Sequence, residues 1–297
     1  MALTVFALDA LDAALVDRFG LDGLTLETSG ELGTYAHTKD VPLTPEVWAT
    51  VATGLSPDEH GVSGAEVTTW GNPVLELASK FTAALPNSTR KLLGDVARDA
   101  TGDRDEIGVT DAESVFDLPG AVVRNWPGVT ADEDLRNVWD LMSEANDGLG
   151  KAPFERRLYG VAAEQFGWAR EMLNHDVSLA GVHVHTPDAA GHMYAEDEAS
   201  LEASYRRVEG FVEEHLAAMG EDDELLLLSD HGMQTAFLGD DEPGAHSFRA
   251  FVASTTDTVP SDVYDVAEWI RAHTHESNEG DEALNVPEQQ LKDLGYI

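Results

Sequence analysis

Short apolar runs alternate with amphipathic helical segments along most of this chain, and that alternation restricts the folds open to it. Residues 3–8, LTVFAL, form an apolar run that ends at an aspartate, and a helical pattern follows as far as Gly20. Strands separated by helices favour a mainly parallel central sheet with helices on both faces, an α/β architecture. The further strand candidates are residues 121–125, 177–185, 224–229 and 248–253, and the main helix candidates are residues 44–53, 131–146, 153–174, 197–220 and 261–273.

The chain shows neither an internal repeat nor a long linker, which predicts one catalytic domain over residues 1–297. Residues 64–120 are the least regular part, and we expect them to contain a small insertion beside the active face. In sheets of this kind, ligands bind outside the carboxyl ends of the strands.

Acidic residues dominate the charge of the chain, with 56 Asp and Glu against 18 Lys and Arg and a formal net charge of −38. The excess is spread over the whole chain, a pattern that predicts a surface hydrated in concentrated salt and hence a halophilic source. Such a surface repels nucleic acid duplexes and anionic membranes.

With no cysteine, disulfides and thiolate metal sites are excluded. The N-terminus has no positive region before its short apolar run, which predicts a cytoplasmic protein.

Salt should stabilise this protein strongly. At molar salt the Debye length falls to roughly 3 Å, so the mutual repulsion of the acidic side chains is screened. We expect the melting temperature to rise steeply between low and molar KCl. A melting temperature that stays flat or falls over that range would refute the prediction of a halophilic protein.

Polar side chains that can bind metals follow several of the strand candidates. The run LLLLSDHGM carries four leucines directly into an Asp-His pair, and a second segment reads HTPDAAGHMY. An aspartate at a strand end is by itself most often a turn former. The prediction of a metal site therefore depends on several Asp and His residues that adjoin different strand candidates. We expect the following residues to gather at one edge of the sheet: Asp9, Asp188, His192, Asp230, His231 and His246.

Three Asp and three His are enough to hold two divalent metal ions through oxygen and nitrogen, a donor set that suits Zn²⁺ first and Mn²⁺ second. Two neighbouring ions are a recurring device for phosphoryl transfer. The nucleophile candidate is Thr44, which stands before Pro45 at the predicted start of a helix. The alternative is that Thr44 only caps that helix, since Thr followed by Pro is a helix-start signal.

Two further histidines, His183 and His185, alternate along the strand candidate 177–185. Either could point towards the predicted metal site. We expect them to pack in the core or to support the ligands rather than to hold an ion.

The segments LTPEVWATVATGLSPDEHGVSG, PDAAGH and LLSDHGM resemble the nucleophile and metal-binding segments of the alkaline phosphatase superfamily, in its type I phosphodiesterase/nucleotide pyrophosphatase branch. The resemblance runs from Asp9 almost to the C-terminus, and implies the three-layer sandwich of that superfamily and a small-molecule phosphoester substrate. It implies a covalent phospho-threonine intermediate and two ions. One ion is held by Asp188, His192 and His246, and the other by Asp9, Asp230, His231 and Thr44.

Two positions depart from the pattern of that branch. Ala10 stands where relatives usually have Gly, which is a small change. Ala65 stands where nucleotide-cleaving relatives have an Asn that holds a phosphate oxygen, and Asn72 is out of register. The resemblance therefore predicts weak turnover of nucleotide diesters unless Lys39 or Asn72 takes the place of that Asn.

Three alternatives stay open at this point: a phosphomonoesterase, a phosphonate hydrolase, or a catalytically silent metal-binding protein of the same superfamily. A sulfatase is disfavoured, because its nucleophile is a Cys or Ser in a Cys/Ser-x-Pro-x-Arg context, whereas this chain has Thr-Pro-Glu. The sequence does not indicate the oligomeric state.

Overall fold

The computed structural model describes residues 2–63, 108–131 and 134–275, together with Lys292, Leu294 and Gly295. Most of the expected insertion, together with Ala65 and Asn72, lies outside the described residues. Within them, the alternation of strands and helices predicted from the sequence is confirmed.

The strands are β1 (Leu3–Leu8), β2 (Thr28–Leu32), β3 (Ala121–Arg124), β4 (Leu179–Val184), β5 (Glu224–Leu228), β6 (Gly232–Met233), β7 (His246–Ser247) and β8 (Ala250–Ser254). Six of them form one central sheet, in the order β2-β8-β5-β1-β4-β3. Strand β1 lies in the middle and pairs in parallel with β4 and β5, and β4 pairs in parallel with β3. Strand β8 is antiparallel to both of its neighbours, and β6 and β7 form a separate antiparallel ribbon.

Nine α-helices are described, and Val115–Asp117 and Ala236–Leu238 form short 3₁₀ turns. The first helix, α1 (Ala13–Phe19), follows β1 and is capped by Gly20, which has the positive φ of 60° that closes many helices. The helices are α1 (Ala13–Phe19), α2 (Asp22–Thr25), α3 (Thr44–Thr53), α4 (Pro57–His60), α5 (Asp134–Asn146), α6 (Lys151–Met172), α7 (Thr186–Tyr194), α8 (Glu198–Leu216) and α9 (Val266–His273).

Strand β1 shows why the sheet carries a core on each face. Its side chains alternate between faces, so Phe6 and Leu8 pack in one buried cluster, while Leu3, Val5 and Ala7 pack in another. The first cluster includes apolar residues of α1, α2 and α5 to α8, and the second includes those of α3 and α9. These are the three layers expected of the α/β sandwich.

Three details differ from the sequence prediction. Strand β2, whose sequence TSGEL is mostly polar, pairs with β8 at the sheet edge and was not predicted. Strand β4 ends at Val184, one residue before the predicted end, and the segment after it forms helix α7, which was not predicted. The N-cap of α3 is Leu43 rather than Thr44, so Thr44 is the first residue of the helix.

The register of the parallel strands places their carboxyl ends side by side. Leu8 of β1 lies opposite Val184 of β4, and Ala7 lies opposite Leu228 of β5. Residues that follow these three strands therefore meet at one edge of the sheet. Among the described residues, no helix combines the length and apolarity needed to cross a membrane.

Candidate metal centre

The edge formed by β1, β4 and β5 collects all of the predicted ligands. Asp9 directly follows β1, and Asp230 and His231 follow β5. Asp188 and His192 lie one turn apart on α7, which presents both side chains on the same face of the helix. The structure groups these residues into two sets with ligand atoms close enough to hold an ion: Asp188, His192 and His246, and Asp9, Asp230 and His231.

In the first set, one carboxylate oxygen faces two imidazoles. Asp188 Oδ1 lies 3.3 Å from His192 Nε2 and 3.6 Å from His246 Nε2. The other oxygen, Oδ2, lies 3.0 Å from His185 Nε2. Two histidine nitrogens and a carboxylate oxygen that converge in this way form a donor set that zinc accepts.

In the second set, His231 lies between two carboxylates. Its Nε2 is 3.3 Å from Asp9 Oδ1 and 3.4 Å from Asp230 Oδ2. The two sets adjoin, because the ring of His231 stacks on that of His246 with the centroids 3.7 Å apart.

The backbone fixes the orientation of each histidine in these sets. The Nδ1 atoms of His192, His246 and His231 lie 2.8, 2.8 and 3.0 Å from the carbonyl oxygens of Gly244, Pro42 and Gly232, respectively. A carbonyl oxygen only accepts, so each Nδ1 donates its proton. In the neutral rings, each Nε2 therefore presents a lone pair to the centre, as a metal ligand must.

Each set also contains a buried carboxylate oxygen without a hydrogen bond among the described residues. These atoms are Asp188 Oδ1 and Asp230 Oδ2, the same oxygens that face the imidazole Nε2 atoms. Buried carboxylate oxygens without a partner are costly, and a cation at each position would remove that cost. The residues present therefore fit two divalent ions.

The pKa shifts of the second set also favour a cation at this position. Burial acts to raise the pKa of Asp9, but His185, His183 and His231 outweigh it and hold that pKa well below its ordinary value. Burial together with the charge of Asp9 raises the pKa of Asp230 well above its ordinary value. Burial opposes a charge on His231, yet Asp230 and Asp9 raise its pKa to about 10. The two carboxylates thus need a positive charge between them, which a proton or a metal ion supplies.

Thr44 directs its hydroxyl into this centre rather than to the backbone of its own helix. Its Oγ1 lies 3.5 Å from Asp9 Oδ1 and 3.4 Å from His231 Nε2. The predicted alternative, a helix cap, receives no support from this geometry. The cap position belongs to Leu43, which has no side-chain hydrogen bond to the helix.

Ala10 occupies a strained position beside the ligands. Its φ is +56°, a left-handed conformation that costs a non-glycine residue roughly 1–2 kcal/mol. Its N–H donates to Asp230 Oδ1 at 3.3 Å, and its carbonyl oxygen accepts from the Tyr205 hydroxyl at 3.0 Å. These bonds hold the turn after β1, and the positive φ is the physical reason why glycine suits this position.

A buried carboxylate that the sequence did not single out holds the β6–β7 ribbon in place. Asp12 Oδ2 accepts from Met233 N, Ser247 Oγ and Arg249 Nε at 3.0, 3.0 and 2.9 Å. A Cβ on Gly232 would lie only 2.3 Å from the same oxygen. The glycine of the SDHG segment is thus needed for close approach. Asp12 ties together β6, which follows His231, and β7, which contains His246.

His183 and His185 both contact the candidate ligand Asp9, the supporting position that the sequence analysis allowed for them. His183 Nε2 and His185 Nδ1 lie 2.9 and 2.6 Å from Asp9 Oδ2. With Asp9 they form a third group compact enough to hold an ion. Their spacing of two along the predicted strand 177–185 was the available signal, since it placed both on one face of that strand.

A cleft of about 160 Å³ opens onto the candidate ligands. Thr44, Asp188, His192 and His246 line it, together with Lys39 and the indole of Trp139. The lining of this cleft thus combines a lysine and a tryptophan with Thr44 and the candidate ligands.

Comparisons with known proteins bear on the fold and the family of this chain. The alkaline phosphatase from the Antarctic bacterium TAB5 superposes with a TM-score of 0.52 at 9% identity, covering 92% of this chain and 98% of that one. A variant of the same enzyme with Mg bound in its M3 site gives a TM-score of 0.49 at 11% identity over 92% and 97% of the two chains. No curated protein gave a significant sequence match. A profile of the type I phosphodiesterase / nucleotide pyrophosphatase family matches residues 3–285.

The fold expected from the sequence motifs is thus confirmed by the first of these structures, and the family by a match that spans most of the chain. The chain belongs to the type I phosphodiesterase / nucleotide pyrophosphatase family and is a metal-dependent phosphoester hydrolase.

Proposed function

We propose that this protein hydrolyses phosphoesters with two divalent metal ions and a covalent phospho-threonine intermediate on Thr44. The observation that carries the proposal is the position of the Thr44 hydroxyl beside Asp9 and His231, where two groups of carboxylates and histidines adjoin. A hydroxyl buried among metal-binding side chains at a helix start is suited to act as a nucleophile.

Each of the two adjoining sets of ligands would hold one ion. Asp188, His192 and His246 would hold one ion. Asp9, Asp230, His231 and Thr44 would hold the other. Imidazole and carboxylate donors without sulfur suit Zn²⁺ first, with Mn²⁺ as the alternative. When bound, the ions would polarise the phosphoryl oxygens, favour loss of the Thr44 proton and offset the negative charge of the transition state.

The reaction then proceeds in two displacements. Thr44 loses its hydroxyl proton, and its Oγ forms a bond to phosphorus as the ester bond to the leaving alcohol breaks. The alcohol takes up a proton and departs. Water next attacks phosphorus, the Oγ–P bond breaks, and Thr44 regains its proton. A diester releases a monoester in this second step, and a monoester releases inorganic phosphate. The start of α3 adds the positive end of its helix dipole beside the phosphoryl group.

The substrate side of the cleft favours a diester with one apolar arm. Lys39 is a cation that suits a non-bridging phosphoryl oxygen, and the indole of Trp139 suits an apolar or aromatic group. Ala65, on which the expected weakness towards nucleotide diesters depends, lies outside the described residues. That expectation stays a prediction.

A panel of chromogenic esters tests the proposed function. At molar KCl with added Zn²⁺ or Mn²⁺, we expect bis(p-nitrophenyl) phosphate to be hydrolysed faster than p-nitrophenyl phosphate or a p-nitrophenyl phosphonate, because a diester fills both the metal side and the apolar side of the cleft. Nucleotide diesters should turn over weakly. A metal-saturated, folded protein that hydrolyses none of these esters would instead favour the catalytically silent alternative.

A further inference from the structure

A buried chain of hydrogen bonds runs from the start of helix α5 to the candidate ligand Asp9. Leu135 N donates to Asn125 Oδ1 at 3.1 Å. Asn125 Nδ2 lies 3.2 Å from the carbonyl oxygen of His183 and 3.3 Å from its Nδ1. His183 Nε2 lies 2.9 Å from Asp9 Oδ2. The chain thus joins a residue outside the metal centre to a carboxylate inside it.

Elementary chemistry gives every bond in this chain a direction. A backbone N–H only donates, so the atom of Asn125 that faces Leu135 is the amide oxygen. The amide nitrogen therefore faces His183 and donates to it. Because His183 Nδ1 accepts, the single ring proton of the neutral imidazole lies on Nε2, which donates to Asp9.

This direction decides what His183 does in the centre. Its Nε2 carries a proton and has no lone pair to offer, so the close approach of Asp9, His183 and His185 is a hydrogen-bonded group rather than a third metal site. Asp9 Oδ2 is occupied by two imidazoles, at 2.9 Å from His183 and 2.6 Å from His185. The other oxygen, Oδ1, is left facing Thr44 and His231.

We infer that Asn125 is a positioning residue for the metal centre: it sets the tautomer of His183, and His183 in turn holds Asp9 so that Oδ1 faces the second ion. The inference rests on the proposed function, since it assigns Asp9 Oδ1 to that ion. Asn125 touches neither the ion nor the substrate and acts through two intervening side chains.

The backbone at position 125 supports the assignment. Asn125 has a φ of +56° and is 2% exposed. Asn is among the few non-glycine residues that adopt this conformation readily, so a single residue type meets the demands of both the backbone and the side chain. A glycine here keeps the backbone and removes only the amide.

Zinc affinity tests the inference, measured as bound metal at a series of chelator-buffered free Zn²⁺ concentrations. Asn125→Gly and His183→Phe should each weaken binding at one of the two sites by about 10- to 100-fold, as loss of a group that orients a ligand does. The double variant should bind no more weakly than the weaker of the two single variants, because both changes break one chain. His183→Gln should bind nearly as well as the parent, since its amide N–H can donate to Asp9.

Adding Asn125→Gly to His183→Gln should then change zinc affinity by less than about three-fold, because an amide has no tautomer for Asn125 to set.

The matched control is His215→Phe. His215 is 1% exposed, lies 3.2 Å from Thr4 Oγ1 through its Nε2, packs against the ring of Phe6 and belongs to none of the candidate ligand groups. This variant should lower the melting temperature and leave zinc affinity unchanged.

Parental zinc affinity in folded Asn125→Gly, or losses that add in the double variant, would overturn the inference. So would an equal loss of affinity in His215→Phe, because the effect would then be one of general destabilisation. Failure of the proposed function has a different signature, in which the parent protein itself does not bind two ions.

Discussion

Replacing Thr44 with alanine is expected to lower the hydrolysis of every ester that the parent accepts by about 10⁴-fold or more, the scale reached when a covalent nucleophile is removed. The Oγ of Thr44 is the atom that attacks phosphorus in the proposed mechanism, and an alanine side chain has nothing to replace it. The loss should appear in kcat at saturating substrate. Metal content should remain near two ions per chain, because Asp9, Asp230 and His231 form a complete group of three ligands without Thr44.

The same substitution should have little effect on the fold. The hydrogen bonds of the Thr44 hydroxyl are long, at 3.5 and 3.4 Å, and neither caps the helix. We therefore expect the free energy of unfolding to fall by no more than about 1 kcal/mol. Thr44→Ser, which keeps the hydroxyl, should retain a substantial part of the activity.

Thr53 provides a matched control on the same helix. Both threonines are 6% exposed, and the Thr53 hydroxyl donates to the carbonyl oxygen of Ala49 at 2.7 Å. Thr53→Ala should cost about 1 kcal/mol of stability and leave kcat near that of the parent. If Thr44→Ala behaves like Thr53→Ala and keeps near-parental rates, Thr44 is not the nucleophile.

Loss of a single metal ligand should be almost as damaging. His192→Ala removes a donor from one group, and Asp230→Ala removes one from the other. Each variant should lose about one bound ion per chain after dialysis, and activity should fall by at least roughly 10²-fold because the attacking and leaving oxygens need both ions. Metal analysis of the purified variants measures the stoichiometry directly.

Chelation of the parent should also lower its melting temperature, since ions that bind only the folded state stabilise it. Added Zn²⁺ should restore both stability and activity. His215→Ala, a buried histidine outside the centre, should keep both ions. Variants at His192 and Asp230 that bind as much metal as the parent would show that the ligands have been assigned wrongly.

The sheet could be predicted from the sequence where burial alone determines it. Strands β1 and β5 are apolar along almost their whole length and end at an aspartate or an SDH segment, so their type and their end were both evident. Strand β2 was missed because its polar sequence, TSGEL, has no burial pattern of its own. It is a strand because β8 offers an open edge, which is a tertiary effect.

Helix α7 was missed although a local signal existed. Thr186 and Pro187 repeat the Thr-Pro start of α3, and Pro at the first turn favours a helix. Only one residue separates the apolar run of β4 from the start of α7, so the sequence suggested a strand that continues to residue 185. The helix matters for function because it places Asp188 and His192 one turn apart.

The sequence did not predict the roles of the polar residues that support the candidate ligands. Five of the seven predicted site residues were chosen from motif segments, and Asp9 and His246 were chosen because they adjoin predicted strands. The structure brings all seven together at one edge of the sheet. Asn125 and Asp12 belong to no such segment. They act through contacts with residues more than fifty positions away in the chain, at His183 and Arg249.

The most direct test of the proposed mechanism is to trap the covalent intermediate. The metal-loaded protein is mixed with excess bis(p-nitrophenyl) phosphate, quenched in acid within one turnover and digested for peptide mass spectrometry. The mechanism predicts a p-nitrophenyl phosphoryl group on Thr44 in the parent, lost when the metal is removed. An unmodified Thr44 peptide during a measured burst of p-nitrophenol, or a phosphoryl group on another residue, would contradict it.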